Sequence, residues 1–219
     1  MSATPHPATK APTTPEEAAH WPPARSAALY GVDRWGAGYV SVSDTGTVRM
    51  HPDGNGPQSP GVDLKQLVDE LRQRDLATPL LIRFPGIIGH RLKAMSDAFA
   101  SAIKEFDFAG DYRGVYPIKV NQQRHIVEDL LAFGAQHNFG LEAGSKPELL
   151  AVLALADDPD TLVICNGFKD AQFIEAVILA QKVGRNVIPV VEKYSEIKLI
   201  IEQAKVHGVQ PKIGVRIKL

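Results

Sequence analysis

The pattern of apolar and polar positions changes at about residue 112. Beyond it, apolar runs are centred near Val115, Leu141, Val163, Ile188 and Val215, and a helical pattern separates each run from the next. The spacing of roughly 25 residues is what a strand and a crossover helix require, so the pattern predicts β-α units with parallel strands. No glycine-rich dinucleotide fingerprint follows the first run. Pattern alone leaves an open doubly wound sheet and an eight-stranded barrel both possible.

The residues before 112 predict smaller elements. Residues 39–43 and 47–50 alternate around the turn residues 44–46, which indicates a β-hairpin. Apolar stripes at helical spacing predict helices over residues 64–71 and 92–106, with a short strand over residues 80–84 between them. Residues 1–28 hold six of the 16 prolines and predict a disordered leader. The predicted organisation is leader 1–28, hairpin segment 29–57, helix-strand-helix lead-in 58–111 and β-α units 112–219.

Composition narrows the class of protein. The chain carries 24 basic and 25 acidic residues, a net charge of -1 that gives no field to attract nucleic acid or an anionic membrane. The first residues lack a basic region followed by an apolar run, and no apolar stretch is long enough to span a membrane. A lone cysteine, Cys165, suits a reducing compartment and a place in the core. A cytoplasmic globular protein is expected.

The residue with the most chemical interest is Lys119, which lies within the apolar run 115–120. Burying an ammonium group is costly unless it is paired or used chemically. At period two, Val115, Pro117 and Lys119 share one face of a strand. In a parallel barrel Lys119 would lie at the carboxyl end, where a neutral amine could attack an aldehyde. The alternative is a lysine that only reaches solvent, and the pattern does not decide between them.

Several segments from Tyr30 onward carry a resemblance to a known family. They are residues 30–36, 61–64, 81–85, 116–123, 140–146 and 165–170. These segments are similar, in the same order, to the biosynthetic arginine decarboxylases, and residues 116–123 look like the pyridoxal-phosphate lysine motif of that family.

The resemblance implies a fold, a reaction and a site. The fold would be α/β, a (β/α)8 TIM-type barrel of the alanine-racemase-like class, truncated after about five strands and preceded by a β-hairpin segment of the β domain. Lys119 would carry pyridoxal 5'-phosphate as an internal aldimine, with Glu142 near the lysine and Arg216 approaching the cofactor. The reaction would convert L-arginine to agmatine and carbon dioxide in polyamine biosynthesis. Magnesium and a homo-oligomer are implied in the same way.

The same resemblance implies that the phosphate-binding glycine loop, the ring-stacking histidine and the carboxylate on the pyridine nitrogen come from later strands. The 219-residue chain alone is therefore expected to be inactive. Glu148 is interpreted as the capping partner of Ser145. His125 and His137 lack partners at metal-ligand spacing, so no metal-binding residues are predicted.

Two other function classes stay open. A sister decarboxylase acting on ornithine, lysine or diaminopimelate would share the fold and the lysine. A non-catalytic short chain that binds a full-length decarboxylase is the alternative outside enzymes.

Overall fold

The computed structural model describes residues 14–16 and 21–217. The chain divides into two compact units, Met1–His90 and Arg91–Leu219. The first unit contains helices α1 (Pro23–Tyr30), α2 (Val32–Trp35) and α3 (Leu64–Gln73), and strands β1 (Val40–Val42), β2 (Val48–Met50) and β3 (Val62–Asp63). The three strands form an antiparallel sheet in the order β1-β2-β3. The predicted hairpin and the helix over residues 64–71 are confirmed.

The predicted disordered leader is wrong at its carboxyl end. Residues 1–13 and 17–20 lie outside the described residues, but residues 23–28 belong to α1. Pro23 occupies the first helical position, where the missing N–H has no partner to lose. Gly31 ends the helix with φ 61°, a left-handed conformation that glycine adopts without a Cβ clash. Local capping therefore overrides a composition that is typical of disorder.

The predicted strand over residues 80–84 is also wrong. The segment has no regular structure, and no strand within residues 21–217 pairs with it. An apolar run becomes a strand only when its backbone groups find a partner. Helix α4 (Gly86–Glu105) follows and includes most of the predicted second helix.

The second unit is a series of β-α units. Strands β4 (Val115–Pro117), β5 (Gly140–Ala143), β6 (Val163–Cys165), β7 (Val187–Val191) and β8 (Gly214–Val215) alternate with helices α5 (Arg124–Gly134), α6 (Lys146–Leu155), α7 (Ala171–Lys182) and α8 (Tyr194–His207). All neighbouring pairs are parallel and the sheet order follows the chain order. A doubly wound sheet reverses its order at a switch point, whereas a barrel does not. The sheet is therefore part of a (β/α) barrel.

The main core lies between one face of this sheet and its helices. Alternation along β5 sends Leu141 and Ala143 into that core and leaves Glu142 on the opposite face. Buried side chains of β6, β7 and helices α5 to α7, together with one residue after β4, complete it, and they are Val163, Cys165, Val187, Val127, Leu149, Val152, Phe173, Val177, Ala180 and Ile118. The sheet thus has one apolar face that packs against the helices and an opposite face that carries the polar residue Glu142.

Candidate active site

A cavity of about 490 Å³ lies at the carboxyl ends of β4 to β8. Its charged lining consists of the two cations Lys119 and Arg216 and the three carboxylates Glu142, Glu148 and Glu192. The three residues singled out from the sequence, Lys119, Glu142 and Arg216, are therefore brought together in one cavity. Their strands are far apart in sequence, and the parallel order of the sheet aligns their carboxyl ends.

Lys119 lies in a 3-10 turn, Ile118–Val120, that directly follows β4. Ile118 is buried in the main core, so the turn is anchored on one side while Lys119 faces the other way. Val115, Pro117 and Lys119 all line the cavity, as the predicted shared face implies, but the strand ends at Pro117 and the turn rather than the strand carries Lys119. Lys119 is exposed at this position, so its ammonium group is not buried.

Glu142 has an unusual environment for a carboxylate. It is buried in β5, and its Oε1 accepts a hydrogen bond of 3.2 Å from Asn166 Nδ2. Its Oε2 is also buried but has no hydrogen-bond partner among the described residues. Leaving a buried carboxylate oxygen without a donor is costly, so this atom calls for an explanation. A ligand in the cavity that offers a proton or a hydrogen-bond donor would supply one.

Arg216 comes directly after β8. Its backbone N–H donates to Val191 O at 3.0 Å, which ties it to the end of β7. Its guanidinium lies 3.5 Å from the Glu192 carboxylate, and Nη2 approaches Asn166 Oδ1 at 3.5 Å. Arg216 is thus a partly exposed cation held at the rim of the cavity.

Glu148 combines a capping role with a place in the cavity lining. Ser145 Oγ accepts from the Glu148 N–H at 3.4 Å, and the Glu148 carboxylate accepts from the Gly144 N–H at 2.7 Å. The predicted capping interaction is present, with Gly144 as the backbone donor. Both hydrogen bonds fix the loop between β5 and α6 on the cavity side.

Sequence reasoning missed Asn166 and Glu192. Each is the first residue after a strand, β6 and β7 respectively, and each touches another residue of the site. The signal that could have found them is positional, since the residue after each strand of a parallel sheet faces the same edge.

A buried ion pair supports the loops that carry these two residues. Lys169 Nζ lies 3.5 Å from Glu196 Oε2, with side-chain exposures of 0% and 2%. Nζ also donates to the carbonyl oxygens of Gly167 and Val190, at 2.6 and 2.5 Å. Glu196 accepts from the backbone N–H groups of Glu192 and Lys169, both at 3.0 Å. The loops after β6 and β7 are therefore joined to each other beneath the cavity.

Two ionisable groups near the site have perturbed pKa values. Burial alone would raise the pKa of Glu196, but hydrogen bonds from the Glu192 and Lys169 amides and the Lys169 charge hold it below its ordinary value. Burial raises the pKa of the Cys165 thiol to about 12. A thiol with that pKa is not a nucleophile at neutral pH. Cys165 is a core residue, as the sequence predicts.

Within residues 14–16 and 21–217, no group of three or more His, Cys, Asp or Glu side chains is arranged to hold a metal ion. In the same part of the chain, none of the helices has the length and apolar character needed to cross a membrane.

One known protein family matches nearly all of the second unit. The family described as "Pyridoxal-dependent decarboxylase, pyridoxal binding domain" matches residues 92–219, which include every strand around the cavity. The chain belongs to this family. A biosynthetic arginine decarboxylase of Rhodopirellula baltica is 51% identical over 199 residues, covering 91% of this chain and 29% of that protein.

Solved structures agree with this assignment. The crystal structure of the biosynthetic arginine decarboxylase of Campylobacter jejuni superposes with a TM-score of 0.77 at 34% identity, over 87% of this chain and 31% of that one. The diaminopimelate decarboxylase of M. jannaschi has the same fold, with a TM-score of 0.58 at 21% identity, over 84% of this chain and 36% of that one. The chain therefore spans about a third of the length of these relatives. The barrel class expected from the sequence is confirmed.

The residues around the cavity fit the cofactor of the family. Lys119 would offer a primary amine to the cofactor aldehyde, and Glu142 Oε2, which has no partner among the described residues, would offer a carboxylate oxygen to a donor on the bound group. When bound, pyridoxal phosphate takes up the electron pair that a departing carboxylate leaves behind.

Proposed function

We propose that this chain is the lysine-bearing part of an arginine decarboxylase, which converts L-arginine to agmatine and carbon dioxide in polyamine biosynthesis. The observation that carries the proposal is that one cavity of a pyridoxal binding domain is lined by both Lys119 and Glu142, whose Oε2 has no hydrogen-bond partner among the described residues. The choice of arginine is supported by the names of the relatives, which are 46–51% identical to this chain.

The proposed roles follow from the position of each side chain. Lys119 binds the cofactor aldehyde through its amine, and its exposed position leaves it free to exchange with an incoming amino acid. Glu142 stabilises positive charge on Lys119 through the oxygen that has no hydrogen-bond donor among the described residues. Arg216 adds a cation at the rim, where it would face a negatively charged group of the cofactor or substrate.

Covalent trapping tests the lysine. The product of the full coding sequence is incubated with pyridoxal 5'-phosphate, reduced with borohydride, digested and mapped by mass spectrometry. We expect one pyridoxyl label, on Lys119, and loss of that label in Lys119→Ala. The matched control is Lys198→Ala, because Lys198 is an exposed lysine of α8 far along the chain. Label scattered over surface lysines, or label that survives in Lys119→Ala, would overturn the proposal.

The substrate is tested separately on the same protein. Carbon dioxide release is measured with arginine, ornithine, lysine and diaminopimelate at equal concentration. Release that is fastest with arginine supports the proposal, and a preference for any of the other three would replace arginine in it.

We further infer a homo-oligomer, a magnesium requirement and a cytoplasmic location. The first two are supported by the family resemblance alone. The third is supported by a single cysteine that is buried and unpaired. Light scattering of the purified protein and activity before and after chelation test the first two.

A further inference from the structure

A chain of polar contacts links the ends of four neighbouring strands in the second unit. Glu142 of β5 accepts from Asn166 after β6, at 3.2 Å. Asn166 and Glu192, which follows β7, both approach the guanidinium of Arg216 after β8, at 3.5 Å each. Arg216 is the more exposed partner of the ion pair, since its side chain is 47% exposed whereas that of Glu192 is 12% exposed.

Glu192 is held in place by contacts other than the one with Arg216. Its Oε1 accepts from the Gly167 N–H at 2.7 Å, and its backbone N–H donates to Glu196 Oε2 at 3.0 Å. Glu196 is in turn fixed by the buried Lys169. Gly167 has φ +80°, and a Cβ on it would lie 2.6 Å from Gly144 O, so this turn is closely packed against the loop after β5. A carboxylate held by several contacts thus lies beside a partly exposed guanidinium.

We infer that Glu192 is a positioning residue, which orients Arg216 toward the cavity that holds the cofactor. This inference rests on the proposed function. An unpaired arginine at the rim would sample several rotamers in solvent, and a fixed carboxylate at 3.5 Å restricts it to those that face the site.

The Glu192 carboxylate contacts both the Gly167 N–H and the Arg216 guanidinium, and the two contacts need different properties of the side chain. A substitution can therefore distinguish a positioning role from a purely structural one. The Gly167 N–H needs only an oxygen acceptor, which glutamine also provides. The guanidinium is attracted by the negative charge, which glutamine lacks. Glu192→Gln therefore keeps the support of the turn and removes the attraction for Arg216.

The experiment is a double-mutant cycle in the product of the full coding sequence. The variants are Glu192→Gln, Arg216→Met and the two together, with Glu202→Gln as the matched control because Glu202 pairs with Lys198 on the exposed face of α8. The dissociation constant of pyridoxal 5'-phosphate is measured without substrate, from the change in absorbance and in protein fluorescence. Thermal melting of each apo variant is recorded alongside.

We expect Glu192→Gln to weaken cofactor binding by about three- to tenfold, as partly exposed charge pairs permit. In the Arg216→Met background the same change should cause no further loss, and Glu202→Gln should bind like the wild type. The inference would be overturned if Glu192→Gln bound the cofactor as tightly as the wild type. It would also be overturned if the fold-losses in affinity of the two single variants multiplied in the double variant. The inference would also be overturned if Glu192→Gln lowered the melting temperature by the same amount in the wild-type and the Arg216→Met backgrounds, since that is the result expected of a purely structural role.

Failure here is distinguishable from failure of the proposed function. If the wild type takes no label on Lys119 in the borohydride test, the proposed function is wrong. If Lys119 is labelled and Glu192→Gln binds the cofactor as tightly as wild type, only the role of Glu192 is wrong.

Discussion

At the scale of the residue, burial distinguishes the ion pair that stabilises the loops of the site from the ion pairs on exposed helix surfaces. Lys65–Asp69, Lys93–Asp97 and Arg124–Glu128 are exposed pairs one helical turn apart. Pairs of that kind contribute at most about 1 kcal/mol, because water screens them. Lys169–Glu196 is buried on both sides and joins two loops of the cavity. Removing one partner there leaves a charge in the interior with no counter-charge.

This contrast gives a prediction for Glu196→Gln. The substitution leaves the Lys169 ammonium buried, and breaking such a pair costs about 3–5 kcal/mol of unfolding free energy. The matched Glu202→Gln change removes an exposed pair on the same helix, with an expected cost below about 1 kcal/mol. Urea unfolding at neutral pH measures both. Similar midpoints for the two variants would contradict the prediction.

The same carboxylate predicts how stability depends on pH. Because the folded-state pKa of Glu196 is lowered, its contribution is complete above the unfolded value of about 4.3 and is lost as pH falls through the folded value. The wild type should therefore lose unfolding free energy on acidification below about pH 4.3, and Glu196→Gln should lose less over the same range. Unfolding curves from pH 3 to 6 measure this. Parallel losses in the two proteins would assign the acid sensitivity to other groups.

At the scale of the element, the sequence predicts what depends on local pattern and misses what depends on pairing. The regular spacing of a strand and a crossover helix predicts all five parallel strands correctly. The predicted strand over residues 80–84 is wrong, since an apolar run does not show whether a partner strand exists. Asn166 and Glu192 can be placed in the site only once the parallel strand order, which aligns the strand ends, is known. The pattern singles out Lys119 without deciding its role, and only the family resemblance points to Glu142 and Arg216.

Strand register also makes a prediction about Gly140, the first residue of β5. A Cβ there would overlap the carbonyl oxygen of Leu162, which belongs to the backbone beside β6 and cannot rotate away. Gly140→Ala should cost about 1–3 kcal/mol of unfolding free energy or more, because the two strands must separate. Gly144→Ala is the matched control, since its Cβ would meet the nearest atoms at 3.5 and 3.7 Å. Unfolding midpoints in urea compare the two, and equal midpoints would show that the strands can adjust freely.

At the scale of the whole molecule, the outer edge of β8 gives a prediction for how the 219-residue chain behaves in solution. No strand within residues 21–217 pairs with that edge, and Ile213, Val215 and Ile217 are exposed along it. An unpaired edge that carries β-branched apolar side chains is a template for association with another chain. The purified 219-residue chain should therefore self-associate at about 10 to 100 μM, which lies within the micromolar-to-millimolar range where unpaired strand edges promote aggregation.

Placing lysine on the edge tests this explanation. The double variant Val215→Lys, Ile217→Lys should stay monomeric over the same concentrations, because charges on an edge strand oppose pairing. Val206→Lys is the control, since Val206 is an equally apolar and exposed residue on α8, away from any strand edge. Sedimentation velocity measures the monomer fraction of the three proteins. If Val206→Lys suppresses association as well as the double variant does, general surface hydrophobicity rather than the β8 edge is the cause, and a wild type that stays monomeric throughout would exclude association by either route.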